Sequence, residues 1–138
     1  MTASALRKAR EANAHYVKPQ AFISDMAMAY RAADIVISRA GASSISELCL
    51  LGKAAILVPS PNVAEDHQSK NAHALSDKGA AVYVADQEAR QLLVEQAVAL
   101  VASQETIQQL ETEVKKLALP HSADIIADEV LKLAGLKA

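Results

Sequence analysis

The chain has 138 residues, of which 51% are apolar and 22% charged, enough for one domain with a proper core. A formal net charge of −2, without any basic block, excludes a dedicated nucleic-acid binder, which carries a clustered basic face. Three tyrosines, one phenylalanine and no tryptophan exclude stacking platforms for single strands.

The predicted elements run in chain order as follows. Residues 3–14 read as a helix or the tail of one, and "HYVK" (15–18) as a short strand closed by Pro19. "QAFIS" is a loop, and Ser24 or Asp25 caps a helix from Met26 to Ala32. "DIVIS" (34–38) is a strand expected to be buried on both faces. A turn of small residues follows, then a helix from about Ser44 to Leu51, stopped by Gly52. "AAILVP" (54–59) is a second buried strand, ended by Pro59 and Pro61. A polar loop then enters a helix that stops at Gly79, and "AAVYVA" (80–85) is a further strand. Helical stretches at 88–101, 104–118 and 122–134 complete the chain, the last with Ser122 as its expected cap. Alternation of this kind implies a Rossmann-like parallel sheet with helices on both faces, in a single α/β domain. A doubly wound domain normally starts with a strand, so a helix at the front suggests a domain truncated at its N-terminus.

The chain contains one cysteine, Cys49, which fits a reducing compartment and reads as a small buried hydrophobe. With no apolar run near the length of a membrane span and no visible signal peptide, the expectation is a soluble cytoplasmic domain. His67 and His73 are six apart and do not share a helix face, so no metal site is expected, and no cofactor either.

The chemistry concentrates in "SRAGASSISE", residues 38–47. In a parallel sheet, ligands sit outside the C-terminal ends of the strands, where this turn falls. A helix starting near Ser44 aims free N–H groups, expected on residues Ser43, Ser44, Ile45 and Ser46, and its positive dipole end at that crevice. Gly41 and the alanines, Ala42 among them, leave room for an anion to approach the backbone. The Ser43 and Ser44 hydroxyls and the forked Arg39 cation complete a phosphate or diphosphate cradle. Neither of the common phosphate-loop fingerprints is present, so an ordinary tight turn stays open as the alternative. Glu47 also has two readings. "SISE" makes a capping box with Ser44 at N-cap and Glu47 at N3, and a lone carboxylate can also accept from both hydroxyls of a vicinal diol. Gln68 and Asn71, three apart on one helix face, can hydrogen-bond sugar hydroxyls or belong to a solvated helix start, with His67 beside them. Met26 reads as packing or as a ligand contact at a helix start. The "AFIS" backbone can match the donor–acceptor edge of a uracil, as many loops can.

These pieces occur together in one family. The stretch from Phe22 to Leu133, above all "SRAGASSISE" and the "HQxxNA" element at 67–72, resembles the C-terminal half of the MurG family of glycosyltransferases (family 28). The resemblance implies a GT-B fold, two Rossmann-like halves across a cleft, of which this chain is the donor half. It implies that the Ile23 backbone meets the uracil, that Ala42, Ser43 and Ser44 line the diphosphate with Arg39 nearby, and that Glu47 holds the ribose. It places Gln68, with Asn71, on N-acetylglucosamine. The implied activity is inverting transfer of N-acetylglucosamine from UDP-GlcNAc to lipid I, in peptidoglycan synthesis. The acceptor site and the general base belong to the N-terminal half, absent from these 138 residues, as is the donor half's first strand with its Gly-Gly-Ser-type loop. No catalytic residue is therefore expected here, and no activity from the chain alone. The implied partners are UDP-GlcNAc and, through the other half, lipid I, with membrane contact only as a full-length protein peripheral to the cytoplasmic face of the inner membrane. Ala54 stands where family members often carry proline. Two alternatives stay open: a non-catalytic nucleotide-sugar-binding subunit completed by a partner chain, and a plain nucleotide-binding domain.

Overall fold

The computed structural model describes residues 18–62 and 66–136. The helix expected at 3–14 and nearly all of the strand expected at 15–18 lie outside the described residues. The chain divides into two compact units, Met1–Ala32 and Ala33–Ala138.

In the first unit, α1 (Met26–Ala32) starts at Asp25. The Asp25 carboxylate accepts from the Met28 N–H at 2.9 Å, and its carbonyl accepts from Ala29 at 3.1 Å. Of the two caps the sequence offers, Asp25 is the one used, with its charge at the positive helix end.

The second unit alternates strands and helices. Its elements are β1 (Val36–Ser38), α2 (Ala42–Leu51), β2 (Ala55–Leu57), α3 (His67–Ser76), β3 (Val82–Tyr83), α4 (Ala89–Val101), α5 (Gln104–Lys115) and α6 (Ser122–Leu133). The three strands pair in parallel in the order β1-β2-β3, with Ile37 opposite Ile56 and Ile56 opposite Val82. Each crossover between them is helical, as parallel neighbours require. The central strand β2 is buried throughout, and its period-two alternation divides the core. Ala54, Ile56 and Val58 pack with Val84, with Leu93, Ala97 and Leu100 of α4, and with Ile107 and Leu110 of α5. Leu48 and Cys49 of α2 and Ala72 and Leu75 of α3 are buried outside that cluster. The expected fold class, helices on both faces of a parallel sheet, is the one found.

Local chemistry sets the helix ends. Gly52 takes the left-handed conformation (φ 63°, ψ 43°) and ends α2, with Lys53 N–H bonding back to the Leu48 carbonyl at 3.1 Å. That is a Schellman arrangement, and only glycine adopts its φ without strain. Ser103 caps α5 by accepting from Thr106 N–H at 3.3 Å. Two expectations need correction. Ser122 is not the cap of α6, because the chain turns helical one residue sooner and His121 takes that position. The first strand is not buried on both faces, since Ile37 is 47% exposed. The amphipathic α6 has no buried residue, and Ile125, Ile126 and Val130 are exposed. Among the described residues, no helix is long and apolar enough to cross a membrane.

Candidate functional site

Because all three strands run parallel, their C-terminal ends open on one edge. Arg39 to Gly41 leave β1 there, Val58 to Ser60 leave β2, and Val84 to Asp86 leave β3. Of the residues expected from the sequence, Arg39 and Gly41 fall on the exit of β1, residues 42–47 at the start of α2, and His67, Gln68 and Asn71 at the start of α3.

The α2 helix begins at Ala42, two residues earlier than expected. Gly41 is its N-cap, in an extended conformation (φ −70°, ψ 148°) and without a side-chain capping bond. Ser44 is therefore the third helical residue and Glu47 the sixth. The capping-box reading of "SISE" is overturned, since that motif needs the serine outside the helix. The first rung of the helix joins Ile45 N–H to the Gly41 carbonyl at 3.0 Å. The amides ahead of that rung are those of Ala42, Ser43 and Ser44. The free amides expected at residues 43–46 thus shift to 42–44, and those of Ile45 and Ser46 belong to the helix ladder. Ala42 and Ser43 are exposed and Ser44 is half-buried. A Cβ built on Gly41 meets nothing within 4 Å, so the space in front of this residue is open. Ala40, by contrast, is fully buried, and its small size serves packing.

Glu47 is exposed on α2. It lies four residues after Ser43 and three after Ser44, hence on their face of the helix, about 5 Å along the axis. Side chains on a helix lean toward its N-terminus, here the end that carries Ala42, Ser43 and Ser44.

The two amide side chains on α3 are tied to the strand exits. Gln68 Oε1 accepts from Ser60 N–H at 2.8 Å, and Asn71 Nδ2 donates to the Ala40 carbonyl at 3.2 Å. These bonds fix opposite polarities: Gln68 has its NH2 group to offer a ligand, Asn71 its Oδ1. His67 is the exposed first residue of α3. Asp66 before it takes a left-handed conformation (φ 56°, ψ 34°), and its carboxylate accepts from the Ser69 hydroxyl at 2.6 Å. Ile23 and Met26 belong to the first unit and are partly exposed.

Arg39 behaves differently from the expectation. Its Nη1 donates to the carbonyls of Val58 at 3.2 Å and Pro59 at 3.1 Å, and forms an ion pair with Asp86. Nη1 thus meets three protein acceptors, while the side chain stays 54% exposed. Asp86 was missed by the sequence reading, although it directly follows "AAVYVA" and so falls on the same strand-end edge. Cys49 is buried as expected, and burial pushes its thiol up from the ordinary range. No group of three or more His, Cys, Asp and Glu side chains able to hold a metal occurs among the described residues. A cleft of about 750 Å³ between Leu51–Lys53 and the Gln108–Lys116 stretch lies at the other end of α2, away from these residues.

A parallel sheet wrapped by helices, with a helix N-terminus opening at its C-terminal edge, is the architecture of a nucleotide-binding α/β domain. Residues 3–127 match the glycosyltransferase family 28 C-terminal domain. The chain belongs to that family. It is 62% identical over 113 residues to a protein of Bacteroides thetaiotaomicron, and 61% identical over 113 residues to one of Phocaeicola vulgatus. Both are named UDP-N-acetylglucosamine--N-acetylmuramyl-(pentapeptide) pyrophosphoryl-undecaprenol N-acetylglucosamine transferase. Each alignment covers 82% of this chain and 30% of the relative, so the chain spans under a third of their length. The crystal structure of Acinetobacter baumannii MurG is similar with a TM-score of 0.74 and 32% identity, over 80% of this chain and 32% of that one. The resemblance read from "SRAGASSISE" and "HQxxNA" is thereby borne out at the level of the family.

Proposed function

We propose that this chain is the donor-binding part of an inverting glycosyltransferase that moves N-acetylglucosamine from UDP-GlcNAc to lipid I in peptidoglycan synthesis. The observation that carries the reading is the start of α2, where three amides precede the first helical bond beside an open Gly41, and Glu47 follows on the same face. The diphosphate sits on the amides of Ala42, Ser43 and Ser44 with the two serine hydroxyls, where the helix dipole favours negative charge. Glu47 accepts from the ribose hydroxyls. Gln68 donates to and Asn71 accepts from the hydroxyls of the sugar. For Ile23 the uracil contact rests on the resemblance alone, and for Met26 a ligand contact rests on its place at a helix start.

In the reaction, a base on the opposing half takes the proton of the acceptor's 4-hydroxyl. That oxygen attacks the anomeric carbon and UDP departs. The amides stabilise the charge that grows on the leaving diphosphate, a role they fill without reorganising. The chain carries no acceptor site in this reading, and we place the full-length protein in the cytoplasm, on the inner face of the membrane that holds lipid I. The alternative, a subunit that binds a nucleotide sugar and is completed by a partner chain, uses the same site. Calorimetry with UDP-GlcNAc, UDP-glucose and ADP tests the proposal. Binding of the uridine nucleotides in preference to ADP, with UDP-GlcNAc ahead of UDP-glucose, is expected. Equal affinity for all three would overturn it in favour of a plain nucleotide-binding domain.

A further inference from the structure

We propose that Asp86 is a positioning residue for the diphosphate cradle and acts through Arg39. The proposal rests on the donor-binding reading above and assigns a role to a residue that this reading does not use.

Backbone pairing holds the sheet together only as far as its last rungs, Val58 N–H to the Ser38 carbonyl at 2.9 Å and Val84 N–H to the Leu57 carbonyl at 3.0 Å. Neighbouring strands are about 4.8 Å apart, so the three exits spread over roughly 10 Å. Arg39 bridges them all. Its backbone continues β1, its Nη1 donates to two carbonyls on the exit of β2, and its charge meets Asp86 on the exit of β3.

Two residues after Arg39 comes Gly41, the cap of α2. Between them, Ala40 is buried and its carbonyl is held by Asn71. The path from β1 into the cradle is thus fixed at consecutive residues, by the Arg39 side chain and the Ala40 carbonyl. Asp86 closes this arrangement from the far strand. Without its carboxylate, Nη1 keeps two neutral acceptors and loses its charged one, the stronger partner. An exposed ion pair contributes little to global stability, so the fold tolerates that loss while the local geometry loosens.

A carboxylate near a diphosphate site repels the ligand, and an arginine freed of its carboxylate attracts it. If Arg39 were a simple phosphate ligand, Asp86→Asn would strengthen UDP binding. If Arg39 and Asp86 brace the cradle, the same substitution weakens it. The two accounts differ in sign.

The experiment is calorimetric titration of the 138-residue chain with UDP and with uridine, for wild type, Asp86→Asn and Asp86→Glu, at two salt concentrations. Asp86→Asn is expected to lower UDP affinity on the order of tenfold, a coupling normal for residues in one hydrogen-bonded network. Uridine affinity should not move, and Asp86→Glu should restore most of the loss, which a general structural defect would not allow. The salt dependence of UDP binding should be the same in wild type and Asp86→Asn. Unchanged or tighter UDP binding by Asp86→Asn, or a steeper salt dependence, overturns the proposal while leaving the donor-binding reading standing. Failure of wild type to bind UDP overturns both.

Discussion

Replacing Gly41 with alanine separates folding from ligand binding at the residue where they should diverge most. The backbone there (φ −70°, ψ 148°) is open to any residue, and the added Cβ meets no atom within 4 Å. Alanine is a poorer N-cap than glycine, at a cost of about 0.5–1 kcal/mol. Against this, alanine restricts the unfolded chain and returns about 0.4–1 kcal/mol. Stability should therefore change by less than about 1 kcal/mol, and the melting temperature by less than about 5 °C. A diphosphate seated on the α2 amides would feel the new methyl directly. Displacing one charge-assisted hydrogen bond forfeits about 1.5–3 kcal/mol, or roughly ten- to more than a hundredfold in affinity. Thermal melting and UDP titration of the same variant give both numbers. A Gly41→Ala protein that binds UDP like wild type would refute the cradle.

Glu47→Ala should lower UDP affinity by about 1.5–3 kcal/mol and abolish the preference for UDP over its 2′,3′-dideoxy analogue in an NMR titration. Gly52→Ala should destabilise by about 1–2 kcal/mol in denaturant unfolding, because φ is +63° there and the new Cβ would lie 3.4 Å from the Lys115 side chain. Burial raises the Cys49 thiol above its ordinary value of 9.0, so the folded state holds the proton more tightly than the unfolded state. Its contribution to stability is complete below that value and is lost as pH rises from there through the raised folded-state value, and Cys49→Ala should flatten the alkaline limb of a pH–stability curve. A coupled assay of the chain alone with UDP-GlcNAc and a lipid I analogue should give no turnover above background.

Much of the fold was legible because the long periodic segments carry their own ends. Ser103 opens α5 with a hydroxyl cap, Gly52 closes α2 with a left-handed turn, and the run 54–59 has the continuous apolar character of a strand covered on both sides. The start of α2 was misread for a physical reason. A serine followed three residues later by glutamate marks a helix start only if the helix begins there, and an extended glycine began it two residues sooner without any side-chain cap. β1 shows a similar limit, because "IVI" looks the same in a strand covered on both faces and in one that leaves Ile37 half-exposed. The residue types at the candidate site were readable from one turn and one helix start. The engagement of Arg39 was not, because its acceptors lie 19, 20 and 47 residues away and become neighbours only when parallel strands bring their ends to one edge. The same rule that places ligands at that edge points to Asp86, and applying it to every strand exit would have found that residue.

The most direct measurement is an amide NMR titration of the chain with UDP-GlcNAc. The account predicts that the largest saturable shifts fall on the amides of Ala42, Ser43 and Ser44, with smaller ones at Glu47 and on the side-chain amides of Gln68 and Asn71. Saturable shifts that leave Ala42–Ser44 unmoved and gather instead around the cleft between Leu51–Lys53 and Gln108–Lys116 would contradict it.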